Sequence, residues 1–197
     1  FIQACREKEL HAVAITDHND FCFLKYFRQA AAEEKNEHGR AISEEKRVVI
    51  FPGLELSFAT CQAILIFDSD IEEEVLANVL VLLDIQPADD SKAKSKQSEQ
   101  LKNIKVLEKL KETLDENSEI LNRYIILPNT TSGGTFTIFR KRSGVAHYTT
   151  MPCVGGYLDG SIDKSSAGHL EITAGKNSDY DYKRIAVFQT SDSRRED

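Results

Sequence analysis

Short apolar runs that stop at a polar or acidic residue punctuate this chain. Residues 12–15 (Ala-Val-Ala-Ile) run into Thr16-Asp17-His18-Asn19, and residues 48–51 run into Pro52-Gly53-Leu54-Glu55. Residues 63–67 end in Asp68, and 185–188 end in Gln189-Thr190-Ser191-Asp192. Runs of this length, bounded by turn signals, read as buried strands. The predicted strands are 12–16, 48–51, 63–67, 124–127 and 184–188, with 54–58 as a further apolar segment past a Pro-Gly corner. The helical period predicts helices over 21–37, 71–83 and 99–116, a short one over 136–142, and the end of one over 1–9. His38-Gly39 would close the first long helix, with Gly39 as its carboxyl cap. In the helix over 99–116, Leu101, Ile104, Leu107, Leu110 and Leu114 share one face.

The remaining segments read as connections. Residues 84–98 are polar and carry Pro87, Asp89, Asp90, Lys92, Lys94 and Lys96. That composition predicts an exposed linker. Residues 143–182 hold most of the glycines and read as an irregular insertion. Strands alternating with helices place the chain in the α/β class, and 197 residues suit a single domain.

Composition narrows function only modestly. Hydrophobic content of 41% and charged content of 29% are those of an ordinary globular domain. No apolar run reaches the roughly 20 residues of a membrane span, so a cytoplasmic address without membrane partners is expected. The net charge of −7 argues against a general nucleic-acid coat. It leaves room for a nuclease, because divalent cations reverse the field at a carboxylate-rich site. Cys5, Cys22, Cys61 and Cys153 form no Cys-x-x-Cys pair and read as reduced thiols. Gly168 and Gly175-Lys176-Asn177 lack the spacing and the Ser or Thr of a nucleotide loop.

The candidate chemistry lies where strands end. Asp17-His18 closes one strand, Glu55 follows another, and Asp192 closes the last. Imidazole and carboxylate together suit first-row divalent metals. Two readings of the first motif stand: a metal-binding strand end, or a strand-to-helix turn in which Asp17 or Asn19 caps the next helix. His147 and His169 lie in the irregular region, where each is either a loop-borne ligand or a surface residue. His11 and His38 read as structural or solvated.

The order "AITDHND", "FPGLELS", apolar strand, "IILPN", "TSD" resembles the PHP (polymerase and histidinol phosphatase) superfamily. The stretches "FIQACREKELHAVAITDHNDF", "MPCVGGYLDGS" and "FQTSDSRRED" are similar to the amino-terminal PHP domain of TrlF-type AAA-like ATPases. The resemblance implies an incomplete PHP-type distorted (β/α) barrel, a fragment of a longer protein whose family His-x-His would precede Phe1. It implies a metal-dependent phosphoesterase or nuclease using a metal-bound hydroxide. His18, Glu55 and Asp192 would hold Mn, Zn, Mg or Fe, weakly in this fragment. Asp17, His18 and Asp192 would be catalytic. It further implies an attached ATPase as partner, nucleic acid as a candidate partner and a role in phage defence.

The chain departs from that family at three histidine positions, which read Gln62, Asn129 and Arg194. Gln62 and Asn129 can hydrogen-bond a water or a phosphate oxygen, and Arg194 can grip phosphate bidentately. Three substitutions of ligand histidines equally fit a catalytically degenerate scaffold that binds a partner or regulates the ATPase.

Overall fold

The computed structural model describes residues 1–86, 100–139 and 143–190. Asp192 and Arg194 lie outside the described residues, as do Lys92, Lys94 and Lys96 of the expected linker.

The chain is a mixed α/β domain. Its elements follow the order α1 (Ile2–Glu7), β1 (Ala12–His18), α2 (Leu24–Ala32), β2 (Val49–Ser57), β3 (Gln62–Phe67), α3 (Glu73–Leu82), α4 (Leu107–Asp115), β4 (Tyr124–Pro128), α5 (Ser143–Thr150), β5 (Gly155–Asp159), α6 (Ala167–Thr173) and β6 (Ala186–Thr190). One sheet has the order β1-β2-β3-β4, and β5 pairs with β6 in a second. A parallel bridge between Asn129 and Tyr157 joins the two. β1 runs parallel to β2, β3 runs antiparallel to both its neighbours, and β5 and β6 are parallel. Five strands therefore end on one edge, and β3 begins there. Among the described residues β1 and β6 do not pair, so the array is not a closed barrel.

Strand alternation divides the array into two faces. Ile50, Leu54, Leu56, Ala63, Leu65 and Phe67 face the main core, which α2, α3 and α4 help to cover. The opposite face carries a smaller cluster of Ile64, Leu127 and Tyr157. The near-continuous apolar run of β3 follows from burial on both sides.

Several elements differ from their sequence reading. The Pro-Gly corner does not exist: β2 runs straight through Pro52 and Gly53. Pairing with β3 begins only at Gly53, so Pro52 has no ladder bond to lose on that side. Gly53 is required by close approach, since a Cβ there would lie 2.7 Å from Thr16 Cγ2 and 2.9 Å from the Leu65 carbonyl oxygen. The helix expected over 21–37 ends at Ala32. Asn36 Oδ1 accepts from the His38 and Arg40 backbone N–H groups and drives a tight turn, where Gly39 takes φ 72°. Gly39 is thus a turn residue, not a helix cap.

The helix read over 99–116 begins only at Leu107. Leu101 and Ile104 are buried from a non-helical lead-in, where the Leu101 N–H donates to the Ser57 carbonyl. Of the helix expected over 136–142, residues 136–139 form bends and a turn, residues 140–142 lie outside the described residues, and α5 is described from Ser143. The stretch 143–182, expected to be irregular, contains α5, β5 and α6. Its short elements sit too close together for periodicity to separate them from a loop. Cys5, Cys61 and Cys153 are buried free thiols, and Cys22 is half-buried. Among the described residues no helix is long and apolar enough to cross a membrane.

Candidate functional site

The edge where five strands end collects polar side chains on the face opposite the main core. His18 and Glu55 are register partners across the parallel β1–β2 pair, so they share a face. His18 Nδ1 lies 3.2 Å from Glu55 Oε2. The contact is at ion-pair distance but poorly aligned, and His18 Nδ1 is buried without a well-formed hydrogen bond. Both side chains are about one-quarter exposed, so the pair opens to solvent. Asn19 ends the strand at φ 54°, a left-handed conformation that Asn tolerates better than most residues.

Asp17 precedes His18 by one residue, so the pleat directs it to the other face, beside its register partner Leu54. Its Oδ2 is buried without a hydrogen-bond partner. Burial, with Asp20 nearby, pushes its carboxyl up to about 6, and His18 offsets this in part. The capping alternative does not hold for either residue. The residue at the start of α2 is Phe23, and no side chain caps the helix.

Gln62 and Asn129 lie on the same face as His18 and Glu55. Both are buried. Gln62 Nε2 donates to Ser57 Oγ at 3.2 Å and so ties the end of β2 to the start of β3. Asn129 Nδ2 donates to Tyr157 Oη at 3.2 Å and to Asp159 Oδ2 at 3.4 Å. Asn129 Oδ1 accepts the Thr131 N–H at 2.8 Å. Both Asn129 donors are thus engaged within the protein. The two amides are also linked through the main chain, because the Asn129 N–H donates to the Gln62 carbonyl at 2.8 Å.

The network continues along the edge. Thr190 Oγ1 donates to Asp159 Oδ1 at 3.1 Å, and the Asp159 N–H donates to Thr131 Oγ1 at 3.0 Å. Tyr157 is 2% exposed. Burial raises its phenol pKa, helped by the charges of Glu55 and Asp159. Tyr157 therefore stays protonated and can donate. The fit of Gly156 beside β4 is equally close: a Cβ there would meet Thr130 Cγ2 at 2.6 Å and the Pro128 carbonyl oxygen at 2.9 Å.

Of the expected site residues, the structure brings His18 and Glu55 together, sets Asp17 on the reverse face, and leaves Gln62 and Asn129 as cross-links on the shared face. Tyr157, Asp159 and Thr190 join this edge and were not singled out from sequence. The rule that flagged Glu55, an apolar strand closing on a carboxylate, also fits Asp159 after Tyr157-Leu158. His169 is buried, contrary to a surface reading, whereas His147 is half-buried on α5. Among the described residues no three His, Cys, Asp or Glu side chains form a metal-holding group. No family model, curated protein or solved structure matches this chain.

Proposed function

We propose that this domain is a metal-dependent phosphoesterase or nuclease module of PHP-like architecture. The observation that carries this reading is the His18–Glu55 pair, 3.2 Å apart where parallel strands end. An imidazole nitrogen without an aligned partner, facing a carboxylate oxygen, is a donor set that suits Mn, Zn or Fe. His18 and Glu55 would hold the ion, with Asp192 as the expected third ligand. A bound divalent ion would supply Lewis acidity, an acidified water and neutralisation of phosphate charge.

The chain's own groups have separate tasks in this reading. Glu55 lies opposite the imidazole and would share the ion with it. Asp17, with its carboxyl near 6, can hold or release a proton on the reverse side of β1. Arg194 would clamp phosphate with its fork of donors. The wider assignments, an attached ATPase, nucleic acid as partner and phage defence, rest on the resemblance alone.

The test is hydrolysis of bis(p-nitrophenyl) phosphate and of single-stranded DNA with Mn, Mg or Zn added in turn. His18→Ala and Glu55→Gln should abolish cleavage and weaken Mn binding measured by calorimetry, while the circular dichroism spectrum is retained. Cleavage by the variants at the wild-type rate would refute the site.

One observation favours a second reading. Asn129 and Gln62, at positions where the family has histidine, spend their amides on the protein's own strands. A degenerate scaffold that binds a partner would look like this. Wild-type protein that binds no Mn and cleaves neither substrate would select that reading.

A further inference from the structure

A buried histidine lies apart from the His18–Glu55 pair and belongs to no part of the chemistry above. His169, on α6, is 4% exposed, and neither ring nitrogen has an aligned hydrogen bond. Its ring packs edge-on against Phe139 at 5.6 Å. Phe139 in turn packs against Tyr148 of α5 and Tyr180, which pack against each other. The polar neighbour of the ring is the backbone of Thr130.

Thr130 is the residue after Asn129. Its N–H donates to the Tyr157 carbonyl at 2.7 Å, and the Ile138 N–H donates to the Asn129 carbonyl at 2.9 Å. Ser132 Oγ and Ser166 Oγ are 3.3 Å apart, so the start of α6 also touches the exit of β4. His169 thus sits where α6 presses on the segment that carries Asn129 and its links to Tyr157 and Asp159.

We propose that His169 is a proton-sensitive pin: its neutral ring seats α6 on the exit of β4, and protonation releases the Asn129–Thr131 segment. Geometry supplies the reason. A neutral imidazole fits an aromatic pocket, whereas an imidazolium there lacks solvent and a counter-charge. The titratable groups facing the ring through Phe139 are the phenols Tyr148 and Tyr180. Tyr148 is pushed up to about 12 by burial and stays neutral. On α6 itself, Glu171 is exposed. Among the described residues no charged side chain contributes to the charge state of His169. Burial lowers its pKa from the ordinary value, and the Thr130 backbone offsets this only in part.

The sign follows from linkage. The closed state disfavours the proton and the opened state takes it up near the ordinary pKa of about 6.5. The closed form therefore holds its stability above that pH and loses it as the pH falls below. Between pH 7.5 and 5.5 the opening equilibrium should rise several-fold, to at most about tenfold.

Hydrogen–deuterium exchange of a peptide covering residues 128–138 reads this directly, corrected for intrinsic rates at the two pH values. Wild-type protection should fall several-fold at pH 5.5. His169→Phe keeps an aromatic ring and removes the proton, so its protection should not fall at pH 5.5. An NMR titration of the wild-type ring is the independent measure, and an apparent pKa below 6.5 is expected. A ring that titrates at or above 6.5 would overturn the proposal. So would a fall in protection as large in His169→Phe as in wild type. Neither measurement uses metal or substrate, so its outcome is separate from that of the phosphoesterase reading.

Discussion

Gly53→Ala tests whether close strand approach builds the His18–Glu55 edge. Gly53 is the register partner of Thr16 on one side and of Ile66 on the other. The added methyl would meet Thr16 Cγ2 at 2.7 Å, the Leu65 carbonyl oxygen at 2.9 Å and the Ile15 carbonyl oxygen at 3.3 Å. Carbon pairs prefer about 3.5–4.0 Å, so the first contact is short by roughly 0.8 Å or more. Two of the three obstacles are backbone atoms of neighbouring strands, which cannot retreat without stretching ladder bonds. Thr16 is β-branched and has little rotamer freedom with which to step aside. Burying a methyl contributes about 0.8 kcal/mol in favour. Overpacking of this kind costs about 1–3 kcal/mol, and we expect a net loss in that range. Urea denaturation followed by circular dichroism gives the midpoint and slope. Gly168→Ala on α6 is the control, because a Cβ there meets nothing within 4 Å. It should stabilise by about 0.4–1 kcal/mol through the unfolded chain. A Gly53→Ala protein as stable as wild type would refute the argument that glycine sets the spacing of β1, β2 and β3.

Two further outcomes are expected. The Asp17 carboxyl sits near 6 when folded, against an ordinary value of about 3.9. Its contribution to stability is full below about pH 4 and is lost as the pH rises through 6. Asp17→Asn should therefore stabilise the protein at pH 7 by about 1–2 kcal/mol, after discounting a larger shift-based figure for partial exposure. The gain should vanish at pH 4, and urea melts that show an equal gain at both pH values would rule out the charge as its cause. Asn129→Ala removes the donors to Tyr157 and Asp159 and the acceptor for the Thr131 N–H. It should cost about 1–3 kcal/mol, and a thermal midpoint within error of wild type would show that the cross-link carries no stability.

Strand β3 was legible because burial on both faces leaves a continuous apolar run, whereas β1, β4 and β6 carry apolar runs that stay partly exposed. Residues 63–67 and 124–127 became β3 and β4 within a residue. The ends of β1 and β2 stood out as candidate sites because an apolar run has no packing reason to finish on His18 or to carry Glu55. Helix limits were less so. Leu101 and Ile104 keep a helical spacing yet reach the core from a non-helical lead-in, since the apolar period records burial and not backbone shape.

The chain's own pattern determined that this is an α/β domain with His18 and Asn129 at strand ends, whereas the place of Glu55 inside β2 came from the fold. Only the tertiary structure decided which of them meet. Register across β1 and β2 puts His18 beside Glu55, and the same pleat turns Asp17 away. The antiparallel sense of β3 brings Gln62 to the shared edge at its amino end, which no local signal records. The burial of His169 depends on how α6, α5 and the exit of β4 converge around Phe139. Local composition carries propensity and period. Direction, register and the company of a side chain are non-local quantities, set when distant segments pack.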